Sequence, residues 1–225
     1  MTSPTARFGL VFCVVLLQAA CTSTQIHYHS LMPTEQRRAT PTSVAPIPSV
    51  SSFEVLPIGI PAQVDRQEIV VRQDKELLIL EGERWAATLG DEMRETLSVL
   101  LRRKLGISDM SGLESAAHAP VLRVKVMLRQ FESVSSQYAL IDADWNLSRA
   151  DKPDMEHLLC HSHLQMRAPG DYRELVAAQQ GLVDALAEQI SSAARTWIAS
   201  GGKACPRNMP LDLGPTDQQT PVPQL

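Results

Sequence analysis

Trp85, Leu89, Met93, Leu97, Leu100, Leu101 and Leu105 recur at intervals of three and four residues. That spacing predicts one amphipathic helix whose apolar stripe must lie against another layer. Asp91 and Glu92 near its start and Lys104 in its last turn suit the helix dipole, and Gly106 is placed to end it. Upstream, residues 69–72 and 77–80 are short apolar runs separated by Gln73-Asp74-Lys75, which predicts a hairpin. Val55, Ile58 and Ile60 are β-type residues broken by Pro57 and Pro61, the pattern of an edge strand or of a strand leaving a sheet. Asp65-Arg66-Gln67 is polar and reads as a loop.

Downstream, residues 121–131 alternate, with Leu122, Val124, Val126 and Leu128 on the core phase and Val121, Arg123, Lys125 and Met127 on the other. Residues 138–147 place Ala139, Ile141, Ala143, Trp145 and Leu147 in phase, and residues 156–166 form a third strand after a turn containing Pro153. Short connections make antiparallel pairing the economical arrangement. Residues 107–119 read as a loop punctuated by Gly112. Residues 172–198 carry a second helical stripe, with Asp171 as N-cap and Gly201-Gly202 to end it. The expected architecture is α+β, a mostly antiparallel sheet with two long helices packed on it. A hydrophobic content of 44% is enough for one core, and an aromatic content of 4% leaves Leu, Val and Ile to fill it. We place this domain at residues 52–200.

The flanks differ in character. Residues 1–20 resemble a targeting segment: Arg7 is the only charged residue, and residues 9–17 are an apolar run too short to span a membrane. Ala19-Ala20 then precede Cys21, the arrangement of a lipoprotein signal whose new terminal cysteine receives lipid. Gln18 departs from it, standing where an aliphatic residue is usual; the alternative is an ordinary cleaved signal with an incidental cysteine. Residues 21–51 comprise the lipidated terminus, a short alternating strand at 26–31 and a tether, residues 33–52 being rich in Pro, Ser and Thr. Residues 203–225 hold five prolines and little apolar periodicity, so 201–225 is expected to be a disordered tail. The formal charge of −4 argues against nucleic acid as a partner.

The stretch from Pro61 through Asp65, Arg66, Ile69, Val70 and Arg72 to Trp85, Ala87, Leu89 and Leu97 resembles the auxiliary lipoprotein family of bacterial ABC-type transport systems. This is the PqiC/YmbA-like group, named for paraquat-inducible operons. The resemblance extends over residues 21–198. It implies a lipid-anchored outer-membrane protein on the periplasmic face. Its partners would be a periplasm-spanning MCE-domain protein and inner-membrane transport components, in envelope lipid transport or maintenance. Self-association is compatible with it. Thr22, by resemblance to Gram-negative lipoproteins, favours outer-membrane sorting, since aspartate there would favour inner-membrane retention.

No nucleophile elbow, zinc-protease pair, P-loop or dinucleotide fingerprint occurs, so no enzyme and no cofactor are expected, and ATP hydrolysis would lie on another chain. His157, His161 and His163 would share one strand face with Cys160 on the other; a solvated face accounts for them as well as a metal does, and no metal is assigned. Asp142 and Asp144 share a strand face as solvated carboxylates. With Cys13 in the leader and Cys21 given to lipid, Cys160 and Cys205 remain, either bridged in an oxidising compartment or as a buried and a free thiol. Asp65, Arg66 and Arg72, with Trp85, are the candidate protein interface, or else a local ion pair that fixes a turn. Two rival classes are a lipid- or ligand-binding carrier, which needs a deep apolar cavity between sheet and helices, and a periplasmic hydrolase, which needs titratable groups clustered in a cleft.

Overall fold

The structure is a computed structural model and describes residues 25–32, 44–113, 119–202 and 205–206. Residues 1–24, with Cys21 and Thr22, lie outside it, as do most of the expected tail and the first part of the expected tether. The elements are β1 (His27–His29), β2 (Ser52–Val55), β3 (Glu68–Gln73), β4 (Glu76–Trp85), α1 (Leu89–Leu105), β5 (Ser108–Asp109), β6 (Val121–Val134), β7 (Tyr138–Arg149), β8 (Leu158–Arg167) and α2 (Tyr172–Ser200). Among the described residues all eight strands join one sheet.

β6 is its axis. Along one edge it pairs antiparallel with β7, and β7 with β8, as the alternation predicts. Along its other edge two short elements share its length. β2 runs parallel to the start of β6, and β3 meets its end where Arg72 faces Val134. β4 then pairs with β3, and β1 lies parallel to β4. The long pairings are antiparallel, yet four of the seven are parallel, so the sheet is mixed rather than simply antiparallel. The reason is connectivity: β2 reaches β6 only after the hairpin and α1, a crossover that returns the chain in the same direction.

Both helices cover one face. α2 lies across β6, β7 and β8, and α1 packs on α2, β2 and β5. Leu122, Val124, Val126 and Leu128 point to this face, as do Ala139, Ile141, Ala143, Trp145 and Leu147. The register shifts between Leu128 and Gln130, and beyond this bulge Phe131 and Ser133 take over as the buried positions. Leu89, Met93, Leu97, Leu101 and Leu105 of α1 are buried, and so are Leu182, Leu186 and Ile190 of α2. Trp85 also shares that stripe in sequence, but it closes β4 and packs edge-on against Phe131, with ring centroids 6.4 Å apart. The helix begins four residues later.

Three further expectations change. β2 is flanked by both β6 and β5, so it is not an edge strand. Pro57 follows it, and Leu56 and Gly59 still donate to Val124 and Val126 of β6 at 2.9 and 3.1 Å. The expected loop after α1 contains β5. The second half of the expected tether is part of the core: Ile47 and Val50 are buried, and Ile47 N–H donates to Leu105 O at 3.1 Å. Gly106 ends α1 at φ 69°; a β-carbon there would stand 2.6 Å from the Val44 carbonyl oxygen, so the position needs glycine twice over. Among the described residues no helix is long and apolar enough to cross a membrane.

Candidate functional site

The four residues expected to form an interface do not act together. Asp65 lies in the loop ahead of β3, and its Oδ1 accepts from Gly90 N–H at 3.2 Å. It therefore caps α1 from 25 residues upstream. The cap is needed because Thr88, the local N-cap residue, spends its hydroxyl on Asp91 Oδ2 at 2.8 Å. Arg66 bonds not to Asp65 but to Glu68, Nε to Oε2 at 3.2 Å, and stays well exposed. A backbone hydrogen bond, with Arg66 beside it, holds the Glu68 carboxyl below its ordinary value. Arg72 pairs with Glu132 and so ties β3 to β6. Trp85 is 3% exposed. Its indole belongs to the core, and this corrects its assignment to a contact surface. What remains accessible is the loop of residues 61–67, with Arg66 as its charged head.

A carrier would need space between sheet and helices. That region is filled by side chains with no exposure, among them Leu97, Leu101, Ile141, Leu147 and Leu186. The described depression that touches a helix, between Leu89 and Trp85, holds only about 10 Å³; the others lie elsewhere, about 40 Å³ beside Arg72 and Phe131 and about 450 Å³ near Met127, Leu159 and Cys205.

The titratable cluster lies on the open face of the sheet, away from both helices. Asp144 accepts from His161 at 3.0 Å and from Arg129 at 2.7 Å, and these bonds hold its carboxyl below the ordinary range. His163 Nδ1 is 2.9 Å from Asp142. This is a cross-strand ladder of carboxylate–imidazole hydrogen bonds between β7 and β8. Among the described residues no three or more His, Cys, Asp or Glu side chains are placed to hold a metal ion. Cys160 on β8 and Cys205 beyond α2 stand 2.01 Å apart at sulfur, a disulfide that closes a separation of 45 residues.

Two features escaped the sequence analysis. Residues 30–32 form a strap: Leu31 is fully buried, its N–H donates to Glu92 Oε2 at 2.9 Å, Ser30 Oγ donates to the same oxygen at 3.0 Å, and Gln180 Nε2 donates to Ser30 O at 2.8 Å. Glu92, expected to suit the helix dipole, is also a buried lock at the start of α1. Beside the strap, His27 and His29 reach Glu83 at 3.0 and 2.5 Å and fasten β1 to β4. Burial pushes the Glu83 carboxyl up, and the two histidine bonds more than offset it, leaving it below its ordinary value. The second feature is the exposure of β4, the second strand of the expected hairpin, where Leu77, Leu78 and Ile79 are all exposed. The unbroken apolar run, lacking polar alternation, was its only sequence signal.

Comparison with known proteins places this fold. The family model described as ABC-type transport auxiliary lipoprotein component matches residues 30–191. No curated protein matches the chain. Among solved structures, a Xanthomonas campestris protein of the family designated DUF330 is similar at 17% identity and a TM-score of 0.56, covering 79% of this chain and 96% of its own. An uncharacterized protein is similar at 18% identity and a TM-score of 0.53, covering 66% of this chain and 95% of its own. At such identities the two likenesses concern the fold.

Proposed function

The chain belongs to the ABC-type transport auxiliary lipoprotein family, and from that membership we propose that it serves an MCE/ABC-type envelope lipid transport system by binding, without catalysing a reaction. In this proposal Cys21 is acylated, the anchor lies in the outer membrane, and the body faces the periplasm. Its partner is a periplasm-spanning MCE-domain protein linked to inner-membrane components that hydrolyse ATP.

One observation carries the proposal: the family match runs from the strap through most of α2, so it covers most of the packed body rather than a fragment. The filled interior supports binding at a surface over carriage of a lipid inside. The surface we assign is the loop of residues 61–67. It is braced by its own turn, in which Val64 N–H and Asp65 N–H donate to Pro61 O, and by Asp65 on α1, so its shape is set before a partner arrives. Arg66 presents a guanidinium that can take a carboxylate with two bonds, and its present partner, Glu68, is a weak exposed competitor.

The test is co-purification of the acylated protein with the MCE-domain partner for Arg66→Glu, which should repel an acidic contact as well as remove the bond. Loss of association, with folding and lipid mass intact, is expected. Unchanged association would remove the loop from the interface. Cys21→Ala, read by intact mass and membrane fractionation, tests the anchor separately.

A further inference from the structure

Five of the nine large apolar side chains exposed among the described residues lie on one edge of the sheet: Ile26 and Tyr28 around β1, and Leu77, Leu78 and Ile79 on β4. β1 covers only the last three residues of β4, through the pairs His27 with Glu83, Tyr28 with Arg84 and His29 with Trp85. From Glu76 to Gly82, β4 has β3 on one side and no strand on the other among the described residues. A long, apolar, uncovered strand edge is a liability in water and normally meets something.

The direction of β1 says what that is. Because β1 is parallel to β4, the chain traced back from His27 heads towards the start of β4. Cys21 stands six residues before His27, and Leu77 stands six residues before Glu83. Six extended residues reach about 20 Å, so an anchor at Cys21 can lie no farther than that from β1, a reach that includes the flank of Leu77, Leu78 and Ile79. We propose that the β1–β4 edge is the membrane-docking surface of the protein, lying along the lipid headgroups with Leu77, Leu78, Ile79, Ile26 and Tyr28 against the acyl boundary. This rests on acylation at Cys21.

The chemistry fits an interfacial depth and no deeper. Asp74, Lys75 and Glu76 stand at the hairpin turn, where headgroup water solvates them, and the unpaired backbone of β4 needs the same water. Tyr28, 62% exposed, has the amphipathic ring favoured at that level. A lipid anchor alone leaves the orientation of the body free; an apolar edge beside it fixes which side faces the bilayer.

The experiment uses the full-length acylated protein in phosphatidylethanolamine/phosphatidylglycerol vesicles whose acyl chains carry bromine. Ile79→Cys and, as reference, Leu159→Cys each receive an environment-sensitive fluorophore; Leu159 is equally apolar and 70% exposed, but on the opposite edge strand. Several-fold stronger quenching at residue 79 than at residue 159 is expected. Equal, water-like signals at both positions in acylated protein overturn the docking surface and leave the anchor standing. Shielding of residue 79 in native envelope fragments but not in pure lipid would assign the edge to a protein and likewise overturn it. A mass lacking acyl chains would bring down the anchor and this inference together.

Discussion

Asp65 shows how a single carboxylate can look like a contact residue while holding the frame. Its partner, Gly90 N–H, is one of the orphan donors of α1, and sequence distance hides the pair. Asp65→Ala should cost about 1 kcal/mol in chemical denaturation, while Asp65→Asn retains most of that stability; equal losses would remove the cap. Arg149 and Asp151 form a tighter pair. Arg149 is nearly buried and meets Asp151 with two bonds, Nε at 2.8 Å and Nη2 at 2.7 Å, which hold the Asp151 carboxyl below its ordinary value. A depressed carboxyl contributes stability that is present above the unfolded-state value and lost as pH falls through the folded-state value. Asp151→Asn should therefore destabilise the protein by about 3 kcal/mol at pH 7, by stranding a buried guanidinium. Below pH 4 the gap to wild type should shrink, as seen in denaturation curves at both pH values. None of these partnerships was legible in the sequence, because each depends on how loops return to helix ends and strand ends.

Whole elements were far more legible. Both helices and the three long strands follow from periodicity, since a buried face leaves a repeat of 3.6 or 2 in the apolar residues. Leu97 and Leu186 have no exposure on their helices. Leu97→Ala should cost roughly 2–5 kcal/mol, and a loss too small to resolve in chemical denaturation would mean that the α1 face is misplaced. Where the repeat fails, the cause is local. The bulge after Leu128 resets the phase of β6, so Phe131 is buried where continued alternation would expose it. Trp85 falls on the stripe of α1 in sequence because a strand residue happens to stand at helical spacing. β5 and the β2–β6 pairing were invisible for another reason: two and four residues carry too little pattern to show which strand they will join.

At the scale of the molecule, parallel pairings arise from chain crossings that no local signal encodes, so the mixed sheet emerges only from the assembled fold. The Cys160–Cys205 bridge belongs to this scale as well, since it ties the segment beyond α2 to the last strand of the sheet. Closing a separation of 45 residues restricts the unfolded chain, and Cys205→Ser should lower stability by about 2–4 kcal/mol, with the same loss in wild type under reductant. The strap at Leu31 has a consequence of a different kind, a mechanical one. In a chain held at Cys21, tension reaches the body first through the three-residue β1 ladder and then through Leu31 with its bonds to Glu92 and Gln180. Should that catch slip, the next fixed point among the described residues is Ala45, whose carbonyl accepts from Arg195 Nη1 at 3.1 Å. The contour from Cys21 to Ala45 is up to about 85 Å, reached with β1 stripped from β4 and with the other strands and both helices intact. The strap thus sets how far the body can stand from a point of attachment at Cys21: near it while the catch holds, and farther once the catch yields.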